Sequence, residues 1–88
     1  MQQDQEPTSQ RATVYRMVLP DHVCPYGLKA VDLLTRNGFD VDDRHLTSRE
    51  ETESFKQEHG LMTTPLVVVG EERVGGADDL ERWLAKRA

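Results

Sequence analysis

Eighty-eight residues and 10.0 kDa suffice for one hydrophobic core and no more, since single domains usually occupy roughly 100–150 residues. Eleven basic against sixteen acidic residues leave a net charge of -5, which repels phosphate backbones and argues against general nucleic-acid binding. The longest apolar run, Leu66–Val69, is far short of the roughly 20 residues of a membrane span, so no direct membrane insertion is expected.

Residues 1–11 hold four glutamines, two acids and a proline with almost nothing to bury, and are expected to form a disordered leader ahead of a folded domain over residues 12–88. Residues 13–19 are rich in β-formers and mostly apolar on both faces, and they stop at Pro20-Asp21, as a buried strand of a mixed sheet does. Leu28, Val31 and Leu34 then recur at helical spacing, with Asn37-Gly38 as the stop. Phe39 and Val41 alternate with acids, giving a half-exposed strand to about Leu46 whose acids are expected to face water.

Thr47 with Glu50, and Ser48 with Glu51, form two overlapping capping boxes, which start a second helix that ends at Gly60 and has a thin apolar face centred on Phe55. Leu66–Val69 is too short for a helix and strongly β-branched, so it reads as a strand buried on both faces. Gly70-Glu71-Glu72 turns into a short strand around Arg73-Val74, and after Gly75-Gly76 either Ala77 or Asp78 opens a last helix carrying Leu80, Trp83 and Leu84. The expected order is βαβαββα, an α/β domain with a four-stranded mixed sheet and three flanking helices.

Three local signals bear on chemistry. Cys24-Pro25-Tyr26-Gly27 falls where the first strand gives way to the first helix. Free amides and the positive end of a helix favour an anionic sulfur there, whereas the alternative is a small buried hydrophobe. Pro25 has no amide hydrogen, so the donors expected for the sulfur are the amides of Tyr26 and Gly27; His22 would assist if protonated, and Asp21 would oppose. Thr63-Thr64-Pro65 precedes the buried strand, where it is either a plain strand start or a cis-proline exposing the Thr64 backbone to an extended ligand. In Gly75-Gly76-Ala77-Asp78-Asp79-Leu80, Asp78 either caps its own helix or accepts from a ligand ammonium group. The single cysteine closes no intrachain disulfide, and one thiol builds neither a four-cysteine zinc site nor an iron–sulfur cluster without ligands from outside the chain.

In order and spacing, these segments resemble the glutaredoxin family of the thioredoxin-like superfamily. Cys24-Pro25-Tyr26-Gly27 is similar to its Cys-Pro-Tyr-Cys site with the second cysteine replaced, Thr63-Thr64-Pro65 to its Thr-Val-Pro with cis-proline, and the glycine pair with Asp78-Asp79-Leu80 to its Gly-Gly-x-Asp-Asp-Leu segment. The resemblance implies a thioredoxin-like fold. It makes Cys24 the nucleophile, has the Thr64 backbone pair with the cysteine of glutathione and Asp78 hold the γ-glutamyl ammonium, and leaves Tyr26, Pro65, Gly76 and Ala77 to shape the groove. Two cations usual in that family are replaced here by Asp21 and Leu61, with Lys29, Lys56 and His59 as possible substitutes.

With one thiol, the implied activity is monothiol reduction of protein–glutathione mixed disulfides, with glutathione as co-substrate and a glutathionylated or redox-active protein as partner. Gly27→Cys is then expected to add activity on ordinary protein disulfides where the geometry allows. The alternatives are a dimer holding a [2Fe-2S] cluster through Cys24 and glutathione, which Pro25 disfavours, and a non-catalytic adaptor. A monomer is expected, and a reducing cytoplasm, because neither an export signal nor paired cysteines appear.

Overall fold

The computed structural model describes residues 10–87. Its axis is strand β1 (Arg11–Leu19), which begins two residues before the expected start because Arg11 already pairs with Asp40. Pro20-Asp21 makes a two-residue turn that folds the chain back, so that Val18 and Leu19 pair antiparallel with a short strand β2 (His22–Val23). That strand was not expected, and it fixes the chain immediately before Cys24. Helix α1 (Pro25–Arg36), strand β3 (Asp40–Leu46), helix α2 (Arg49–His59), the hairpin β4 (Leu66–Val69) and β5 (Glu72–Gly75), and helix α3 (Ala77–Arg87) complete the order. The expected four-stranded sheet is thus five-stranded: β2, β1, β4 and β5 are neighbours in that order, and β3 lies parallel to β1. Residues 1–9 of the expected leader lie outside the described residues.

The register divides β1 by side-chain parity. Ala12 and Val14 stand opposite Val69 and Val67, and this face packs on Ala30 and Leu34 of α1 and Leu80 of α3. Full burial of a Val or Leu stabilises by about 1.5–3 kcal/mol each, so Val14, Leu34, Val67 and Leu80 on this face carry most of the fold. On the opposite face Tyr15 meets Phe55 and His59 of α2 in a small ring stack, with centroids 4.9 and 6.4 Å away. That face is as thin as the pattern around Phe55 predicts.

Helix ends obey local rules. Of the two capping boxes, Ser48/Glu51 is the one used: Ser48 Oγ accepts from the Glu51 amide at 3.0 Å. The Glu51 carboxylate reaches one residue further than a standard box and accepts from the Thr47 amide at 2.7 Å. Gly60 ends α2 in the left-handed conformation (φ 66°), which glycine adopts without a Cβ penalty. Trp83 Nε1 donates to Glu72 across 3.0 Å and Arg73 to the His59 carbonyl, tying β5 to both neighbouring helices.

Candidate functional site

Cys24 is the N-cap residue of α1, with extended backbone (φ -67°, ψ 120°) and a half-buried side chain. Its carbonyl accepts from the amides of Gly27 at 3.2 Å and Leu28 at 3.4 Å. The Gly27 amide, expected to face the sulfur, is therefore committed to the backbone. The Cys24 side chain accepts no capping bond, Pro25 occupies the first helical position, and the first turn holds no acid. The positive end of α1 is left without a side-chain counter-charge of its own. His22 is exposed in β2 opposite Leu19, and Asp21 is exposed in the preceding turn.

Beside this turn lies a groove of about 280 Å³ walled by Tyr26, Thr63, Thr64, Pro65, Gly76, Ala77, Asp78 and Asp79. The Thr64-Pro65 bond is cis. Three segments far apart in sequence thus meet: the start of α1, the loop before β4 and the start of α3. The two acids of α3 divide their tasks. Gly76 accepts the first helical bond, from Leu80 at 2.9 Å, and its amide donates to Asp79 Oδ2 at 3.0 Å. Asp79, further tied to Arg82 at 2.6 Å, therefore caps the helix. Asp78 does not cap: its only ion-pair partner among the described residues is Lys29 Nζ at 3.9 Å, so its carboxylate stays open at the groove.

The cations weighed as substitutes are mostly committed elsewhere. Lys29 lies 3.4 Å from Glu81, Lys56 pairs with Glu53 at 2.7 Å, and the His59 ring lies tilted against Phe55 with centroids 4.3 Å apart. A second cavity of about 370 Å³ shares the Thr63-Thr64 wall and is lined by Met17, Met62, Arg49 and Lys56 among others. Arg49 makes no ion pair among the described residues. The four large hydrophobics exposed among the described residues, Val23, Tyr26, Leu28 and Met62, lie within four residues of Cys24 or next to Thr63.

Sequence reasoning missed what lies beneath the turn. Arg16 of β1 is 8% exposed, and its guanidinium bonds Asp43 through both Nε (2.7 Å) and Nη2 (2.8 Å). His45 Nε2 lies 3.1 Å from Arg16 Nη2 and 3.1 Å from Asp43 Oδ2. The bond from Arg16 holds the Asp43 carboxyl below the usual carboxylate range, with His45 adding to the effect, and the same bond raises the Arg16 guanidinium above its ordinary value. Asp43 is exposed, as expected of the acids of β3, and its carboxylate is in addition bonded to a cation. A charge following Ala12 and Val14 on the same parity was the available signal, since it requires a partner on whichever strand pairs with β1. Among the described residues no cluster of three metal-ligating side chains occurs.

A glutaredoxin family model matches residues 12–74. The chain is similar to a glutaredoxin of Pseudomonas aeruginosa, at 36% identity over 58 residues that cover 65% of this chain and 69% of that one. It is also similar to the hybrid peroxiredoxin hyPrx5 of Haemophilus influenzae, at 34% identity over 62 residues, 70% of this chain but only 26% of that protein. In three dimensions it resembles glutaredoxin 1 of Francisella tularensis, solved in complex with cacodylate, with a TM-score of 0.76 at 19% identity over 89% of this chain and 95% of the other. That likeness identifies the fold as thioredoxin-like.

Proposed function

This chain belongs to the glutaredoxin family, whose members are generally thiol–disulfide oxidoreductases, and on that premise we propose that it reduces protein–glutathione mixed disulfides through Cys24 alone. The observation that carries the proposal is the convergence of Tyr26, Thr64, Pro65, Gly76, Ala77 and the largely exposed Asp78 on one groove beside the uncapped start of α1.

In the first step the Cys24 thiolate attacks the glutathione sulfur of the mixed disulfide. A new S–S bond forms to Cys24, the old one breaks, and the protein leaves as a thiolate that takes a proton from solvent. In the second step the thiolate of another glutathione attacks that adduct, releasing oxidised glutathione and restoring Cys24. The main-chain edge of Thr64 faces the cysteine part of the tripeptide, and Asp78 receives its ammonium group. The exposed apolar side chains around Cys24 are suited to contact the protein half of the substrate.

The test is turnover of a glutathionylated peptide by the purified chain, alongside Cys24→Ser and Asp78→Ala. The proposal expects no turnover from the first variant and a KM raised by roughly tenfold in the second, as loss of a charge-assisted hydrogen bond implies. Turnover that survives Cys24→Ser overturns it. A brown, glutathione-dependent dimer on anaerobic reconstitution would favour cluster binding instead, and an inert, readily folded chain would favour an adaptor. The setting proposed is a monomer in the reducing cytoplasm.

A further inference from the structure

The fourth residue of the Cys24-Pro25-Tyr26-Gly27 motif rests directly on β1. A Cβ added to Gly27 would lie 2.8 Å from Arg16 Cβ, 3.0 Å from its Cδ and 3.4 Å from its Cγ. Non-bonded carbons settle at roughly 3.5–4.0 Å, so the first two distances are repulsive. The obstacle is the root and stem of Arg16 rather than its tip, so rotation about the outer bonds leaves it in place. The tip is itself fixed, by two bonds to Asp43 and by contact with His45. Both partners come from β3, where register sets Asp43 opposite Val14 and His45 opposite Arg16; both remain exposed.

We propose that Arg16 is the positioning residue of this site. Its stem forms the floor on which the Cys24-to-Gly27 turn sits, and its ion pair with Asp43 locks that floor, so glycine at position 27 is required. The inference rests on the reading of Cys24 as the nucleophile and adds that packing, as well as cysteine count, commits the site to one-thiol chemistry. A two-thiol cycle needs the sulfur at position 27 to attack the disulfide between Cys24 and its substrate, forming an internal S–S bond while the second substrate sulfur leaves as a thiolate. With Arg16 in place, that sulfur's Cβ has no room. The sequence-based expectation that Gly27→Cys adds activity on ordinary disulfides is thereby reversed.

The experiment uses the full chain carrying Gly27→Ala, Gly27→Cys, Arg16→Gly/Gly27→Cys or Arg16→Lys/Gly27→Cys. In a helix Gly→Ala ordinarily stabilises, so a Tm for Gly27→Ala lowered by at least about 5 °C is an inverted sign that only crowding explains. Oxidised glutathione is then added. Two thiols can pass two electrons and two protons to it, yielding two glutathiones and an internal disulfide, which mass spectrometry separates from a glutathione adduct.

Gly27→Cys is expected to give adduct without internal disulfide. Arg16→Gly/Gly27→Cys is expected to close the disulfide and to reduce insulin at least about tenfold faster than Gly27→Cys. Arg16→Lys/Gly27→Cys keeps the stem and is expected to behave as Gly27→Cys does. An unchanged or raised Tm in Gly27→Ala, or an internal disulfide in Gly27→Cys alone, overturns the proposal. So does equal relief by lysine, which would assign the effect to charge. Turnover of the glutathionylated peptide by the unmodified chain is measured in parallel, so failure of the nucleophile assignment appears there and not in these readouts.

Discussion

Helices α1 and α2 start with the same problem and solve it in opposite ways. Each presents free amides and the positive end of a dipole. In α2 these are satisfied from within: Ser48 accepts from the Glu51 amide, the Glu51 carboxylate returns to the Thr47 amide, and Glu50 and Glu51 both sit in the first turn. In α1 the cap residue is Cys24, its side chain accepts nothing, proline follows, and the first turn carries no acid. What holds this turn is the floor beneath it, the Arg16 stem locked by Asp43. A helix start closed by its own side chains serves stability, whereas one left open and held from below can serve an anionic nucleophile.

The largest test of this contrast is Cys24→Ser. Turnover should fall by roughly a thousandfold or more, as loss of a nucleophile does. Tm should nonetheless rise by a few degrees, because a serine hydroxyl can accept from the Tyr26 amide, and Cys24→Asp should raise it further. A lower Tm in both variants means that the start of α1 was not open, and the contrast fails.

Next comes the floor. Asp43→Asn should cost about 1.5–3 kcal/mol at neutral pH, by removing a charge-assisted pair whose cation stays buried. Because Arg16 lowers the folded-state value of Asp43, the unfolded chain takes up this proton first as acid is added. The contribution is therefore complete well above about pH 4, the ordinary carboxylate range, and is lost as pH falls through the lowered folded value. Urea melts of the wild type and Asp43→Asn should differ at pH 7 and converge in strong acid; a gap that is constant with pH rules out the ion pair as its source.

Ser48→Ala should destabilise by about 1 kcal/mol through the lost cap of α2, with turnover unchanged because Ser48 lines neither the groove nor the Cys24 turn. A fall in turnover beyond that of a control of equal stability would show α2 to be coupled to the site. The smallest effect is that of Asp21→Lys, which adds a cation beside the open end of α1 in place of an anion. A KM for glutathione lowered about fivefold is expected, and an unchanged KM at low salt argues that the ligand carboxylates lie elsewhere, for instance toward Arg49.

The elements that local rules govern were legible in the chain. Period and punctuation located three helices and four strands, and Gly60 and Ser48 act at the ends where their chemistry places them. The fifth strand was not legible, because two residues of β2 carry no pattern and owe their conformation to the Pro20-Asp21 turn. At the groove, the resemblance selected Tyr26, Thr64, Pro65, Gly76, Ala77 and Asp78, and the fold brings all six to one place. The residues alone left open whether Asp78 caps α3 or meets a ligand, because either aspartate can cap and only the direction of each carboxylate decides.

By itself, then, the sequence determined what depends on near neighbours along the chain: periodicity, caps, turns, and the single thiol at a strand-to-helix junction. Only the tertiary structure decided which distant side chains share a face. It set Arg16 against Asp43 and His45 through the parallel register of β1 and β3, and laid Gly27 on the Arg16 stem. The physical reason is that capping and turn bonds act within about four residues, whereas pairing across a sheet depends on strand order and register, to which no single segment is committed.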